Sequence, residues 1–77
     1  MDEIDGFVKK MEEKYNAKLF EYGTSWKTCE IKYLEEKLLG EVMEYLRSGD
    51  KAELVDIANI CWMIDVRKGL EENPPRM

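Results

Sequence analysis

An all-α fold follows from three features of the chain. Apolar residues recur at helical spacing through three successive segments, a glycine stands just past each of the first two, and no segment reads as a strand. The expected architecture is a three-helix chain that contains an antiparallel helical hairpin and completes a helical bundle by oligomerisation.

The first helix is expected over 2–22, where Ile4, Phe7, Val8, Met11, Tyr15 and Leu19 form one apolar stripe with Lys and Glu opposite. Asp2 or Asp5 supports its start, and Gly23 follows where a C-terminal glycine belongs. Residues 23–28, GTSWKT, form a loop with Thr24, Ser25 and Thr28 as candidate N-caps. A second helix is expected from about Cys29 to Arg47, with Ile31, Leu34, Leu38, Val42 and Tyr45 on its apolar stripe and Ser48-Gly49 as its stop. Asp50 opens a third helix that reaches about Lys68. The short SGD turn makes the second and third helices antiparallel neighbours. From Leu54 to Val66 the third helix is apolar nearly all round, LVDIANICWMIDV, which is more than three helices bury, so a partner chain is expected. Cys61 reads as a small core residue and Trp62 as core or subunit interface. Gly69 begins a polar exit with two prolines, dividing the chain into one domain over 1–68 and a flexible tail over 69–77.

At 77 residues the core alone is marginal, and assembly is the expected remedy. Histidine is absent and Cys29 and Cys61 are far apart, so no zinc-ligand spacing exists. The stretch MDEIDGFVKK is acidic and lacks the apolar core of a signal peptide, and no apolar run approaches the ~20 residues of a membrane span. A cytoplasmic protein with two free thiols is expected, with no membrane partner. The net charge of −5 argues against a general nucleic-acid binder, which needs a basic face.

Two acid pairs flank the turn. Glu41 and Glu44 are three apart before it, and Glu53 and Asp56 three apart after it. In an antiparallel hairpin Glu44 then faces Glu53, Glu41 faces Asp56 and Leu38 faces Asn59. Four carboxylates on one seam raise each other's pKa, and a divalent cation removes that conflict. Oxygen donors without Cys or His select hard ions, Mg²⁺ or Mn²⁺. Glu53 also fits a capping box with Asp50, and Glu41 and Glu44 also fit a solvated surface. Asp56 and Asn59 are the telling residues, because they interrupt an apolar helix where an unpartnered polar group costs about 1–3 kcal/mol.

The pattern, GEVMEY at 40–45 followed by AELVDIANICWMI at 52–64, resembles the metal signature of the all-α nucleotide pyrophosphohydrolases. That superfamily includes the MazG-like enzymes and the dimeric dUTPases. TSWKTCEIKYLEEKLLGEVMEYL also looks like the entry to the family's first motif helix, and the resemblance covers residues 24–67. Gly40 stands where the fuller signature often has Glu, and the family's usual fourth helix is missing. The resemblance implies hydrolysis of a nucleoside triphosphate to monophosphate and pyrophosphate, with Glu41, Glu44, Glu53 and Asp56 as metal ligands and catalytic residues. It also implies a homodimer or homotetramer with sites built between helices of different subunits.

Phosphates need cations. Lys37 lies one turn before Glu41, Lys51 opens the third helix, and Lys27 and Lys32 lie nearby, though each also fits a solvated lysine paired with Glu. Trp26 is a candidate to stack on a base, and Asn59 joins the substrate-binding set with Trp26, Lys27 and Lys37. The alternative expectation is a non-catalytic helical oligomerisation or nucleotide-binding module.

Overall fold

A computed structural model describes residues 2–72. Three α-helices run Asp2–Tyr22 (α1), Ile31–Ser48 (α2) and Ala52–Glu72 (α3), with a short 3₁₀ turn at Ser25–Lys27, and no strand occurs among the described residues. No helix there is long and apolar enough to cross a membrane.

Both glycine stops work as left-handed caps. Gly23 has φ 72° and Gly49 φ 70°, a region closed to most side chains. Their N–H groups donate to the carbonyls of Leu19 (2.9 Å) and Tyr45 (2.7 Å), satisfying two helix-end acceptors.

The helix boundaries move from their expected positions for local reasons. The loop after Gly23 tightens into the 3₁₀ turn, and Thr28 spends its hydroxyl on the Ser25 carbonyl at 3.4 Å. α2 therefore starts after Glu30, which makes no side-chain cap; none of Thr24, Ser25 or Thr28 caps it. Asp50 does serve α3: its Oδ1 accepts from Ala52 N–H at 3.0 Å and its carbonyl from Glu53 N–H at 3.0 Å. α3 continues past Lys68 to Glu72, so 69–72, expected in the polar tail, are helical; 73–77 lie outside the described residues.

α3 is the central element, packing against α2 on one side and α1 on another. The core is small: Trp26, Leu34, Val55 and Ile60 are buried, together with the polar Asp56 and Asn59, and no large side chain is fully enclosed among the described residues. Trp26 enters it from the 3₁₀ turn. Its Nε1 donates to the Tyr15 hydroxyl at 3.2 Å, and its carbonyl accepts from Arg67 Nη1 at 2.8 Å. Tyr15, Trp26 and Trp62 form a three-ring cluster with centroids 5.2–6.5 Å apart, each close pair adding about 0.5–1.5 kcal/mol beyond burial.

As expected of three helices alone, α3 is not buried on all sides. Leu54, Cys61 and Trp62 are exposed, so Cys61 is a surface thiol rather than a core residue. The apolar stripe of α1 is likewise only half used. Met11, Tyr15 and Leu19 pack, while Ile4, Phe7 and Val8 remain exposed. Met11 ties α1 to α3, its carbonyl accepting from Asn59 Nδ2 at 3.1 Å.

Candidate functional site

Helical spacing on α2 and α3 brings acids from both to one place. Glu41, Glu53 and Asp56 offer carboxylate oxygens that all lie within 4.8 Å of one another. The first two are half-buried and Asp56 is buried. Glu44 stands beside this group, close enough to influence Glu53, but bonds to Arg47 one turn further along α2.

Crowding of negative charge shows in the proton affinity of Glu53. Its pKa is raised above the ordinary 4.5, first because its carboxyl hydrogen-bonds to Glu41. Desolvation and the charges of Glu41, Asp56 and Glu44 then add to the effect. Glu53 thus turns toward Glu41 and does not fold back as the reciprocal half of a capping box with Asp50.

Asp56 meets its charge differently. Lys14 and Lys18 of α1 place their ammonium groups 3.5 and 3.3 Å from the same oxygen, Oδ1. Those distances are within ion-pair range, yet Oδ1 accepts no directed hydrogen bond. The lysine heads are more than a third exposed while Asp56 is nearly closed off, so the pairing is partly screened by water. Sequence reasoning missed both lysines. The available signal was their i,i+4 spacing beside Met11, Tyr15 and Leu19, which also suits a solvated face.

A cavity of about 270 Å³ opens next to Asp56, with Trp26, Tyr15, Asn59, Lys18 and Lys37 on its wall. That volume lies just below the ~300–1,000 Å³ of common ligand sites, enough for a base-sized fragment. Asn59 therefore faces both the cavity and Met11, rather than Leu38 alone. Trp26 is buried on the cavity wall. Lys27 sits over the Trp26 ring at 5.8 Å and is outside the cavity lining, Lys32 borders a separate shallow depression, and Lys51 is exposed in the turn.

The donor set fits a hard divalent ion. It is made of carboxylate oxygens alone, drawn from two helices, with a buried Asp56 oxygen that lacks a directed donor. Acid groups of this kind also occur without an ion. No family model, no curated protein and no solved structure matches the chain.

Proposed function

We propose that the chain is a divalent-metal-dependent pyrophosphohydrolase that converts a nucleoside triphosphate and water to the monophosphate and pyrophosphate. The observation that carries this reading is the meeting of Glu41, Glu53 and Asp56 within 4.8 Å, at the positions where the sequence resembles the metal motif of that superfamily. Mg²⁺ or Mn²⁺ bound there would supply an activated water and neutralise phosphate charge. Glu41, Glu53 and Asp56 would hold the ion, with Glu44 close by on α2. Lys37 and Lys18 on the cavity wall offer ammonium groups to the phosphates, while Trp26 and Asn59 offer a ring face and an amide to the base.

Several contacts support the arrangement this reading needs. Glu41 meets Asp56 near the turn while Glu35 meets Lys68 far from it, at 3.9 Å, as an antiparallel α2–α3 hairpin requires. Two free cysteines fit a reducing, cytoplasmic setting. A homodimer or homotetramer completes the bundle.

One observation favours a non-catalytic nucleotide-binding or assembly module. Lys14 and Lys18 already serve Asp56, so the fold can hold that carboxylate without metal. Pyrophosphate release from a panel of ribo- and deoxyribonucleoside triphosphates with Mg²⁺ or Mn²⁺, in wild type and Asp56→Ala, separates the two. Metal-dependent release that vanishes in the variant supports the enzyme. Silence of both folded proteins on every triphosphate favours the module.

A further inference from the structure

We infer that α1 is a latch on the acid site, and that a divalent cation and the Lys14–Lys18 segment of α1 compete for Asp56. The carboxylate of Asp56 is claimed twice. It stands with Glu41 and Glu53, oxygens of all three lying within 4.8 Å of one another. It also receives the ammonium groups of Lys14 and Lys18, 3.5 and 3.3 Å from Oδ1. Asp56 is only 9% exposed, and its Oδ1 is closed to water yet accepts no directed hydrogen bond. The two lysines therefore hold it by charge more than by bonding geometry.

Charge sets the competition. Three ionised carboxylates would draw a divalent ion strongly, but the two ammonium groups cancel all but one of those charges. A cation on Asp56 would also share that carboxylate with two like charges. Both lysine heads are more than a third exposed, so they can leave Asp56 for water at modest cost. α1 is the helix least committed to the core, since Ile4, Phe7 and Val8 in its first half are exposed. Its Tyr15, Lys18 and Leu19 form one wall of the cavity beside Asp56, so release of the latch opens that cavity. By linkage, whatever factor the docked lysines take from cation affinity, the bound cation takes from docking of α1. This rests on the metal reading above, but the two can fail separately.

The test follows Mn²⁺ binding by calorimetry in wild type, Lys14→Met/Lys18→Met, Lys9→Met/Lys10→Met and Asp56→Asn. Lys9 and Lys10 are exposed on the same helix, so the control pair removes equal charge outside the ion pairs of Asp56. Loss of Lys14 and Lys18 is expected to tighten Mn²⁺ by about fivefold or more, the low end of ordinary coupling because both heads are partly solvated. The control pair changes it by about twofold at most, through the screened field alone. A second readout needs no lysine variant. An undocked helix loses most of its stability, so Mn²⁺ is expected to speed hydrogen exchange of wild-type amides around Lys14 and Lys18, and to have no such effect in Asp56→Asn. Equal Mn²⁺ affinity in wild type and Lys14→Met/Lys18→Met overturns the inference, as does a gain matched by the control pair. Unchanged or slowed α1 exchange under saturating Mn²⁺ overturns it even if the lysine variant misfolds. No Mn²⁺ binding by any of the folded proteins overturns the metal reading as well, whereas binding without these couplings leaves that reading standing.

Discussion

Lys18 of α1 and Asp56 of α3 meet at 3.3 Å, on an oxygen that receives no directed hydrogen bond. With Lys14 at 3.5 Å, this pair pins the first helix to the acid cluster. A nearly enclosed carboxylate stripped of both cations is left as an unpaired charge, and it is that penalty, more than the attraction, that a mutation exposes.

Replacing Lys14 and Lys18 together with Met keeps their apolar stems and removes the charge. The expected cost is about 1–2 kcal/mol in urea unfolding at neutral pH, the low side of the range for an orphaned polar group because the lysines are partly solvated. In an Asp56→Asn background the same double change should cost little. An equal cost in both backgrounds would mean that the lysines act by packing alone.

Glu53 sets a pH dependence of definite sign. The folded chain holds this proton more tightly than the unfolded one, so it binds more protons between the ordinary glutamate value of 4.5 and the raised one. The stabilisation from Glu53 is complete below that ordinary value and is lost as pH rises through the raised one. Glu53→Gln should therefore flatten this part of the stability profile and raise the urea midpoint at neutral pH, where it removes repulsion with Glu41, Asp56 and Glu44. Superimposable profiles for the two proteins would refute the assignment.

Tyr15 supplies the acceptor for a buried indole. In Tyr15→Phe the ring contacts with Trp26 and Trp62 persist, but Trp26 Nε1 loses its partner at 3.2 Å. A loss of about 1–2 kcal/mol is expected from the unsatisfied donor. Urea unfolding followed by tryptophan emission measures it, and unchanged stability would show that water replaces the hydroxyl.

The helices were legible because their signals are local. Repeats of 3.6 residues and glycines at 23 and 49 are fixed by backbone sterics alone. What escaped depends on contacts between distant residues. Nothing in TSWKT announces that Trp26 will be drawn inward, since Tyr15 and Arg67 hold it from 11 residues before and 41 after. Asp56 and Asn59 stood out as polar residues needing partners, but the partners sit on α1, beyond any spacing rule. The apolar run of α3 told how much surface wants cover and not which face obtains it. One side meets α2 and another meets α1, leaving Leu54 and Cys61 in water. Among the four acids, equal distance from the turn pointed to the right neighbourhood, while the Arg47 side chain, one turn along α2, drew Glu44 aside.

The three-residue link at Gly49–Lys51 also favours one order of folding events. Closing a short loop costs little chain entropy, whereas docking the 3₁₀ turn and α1 must join residues 41 and 48 positions apart, at Trp26–Arg67 and Met11–Asn59. The difference is about 2 kcal/mol of extra closure entropy for the longer loops. α2 and α3 are therefore expected to pair first, with α1 docking later. Substitutions at its lysines should change the unfolding rate far more than the folding rate.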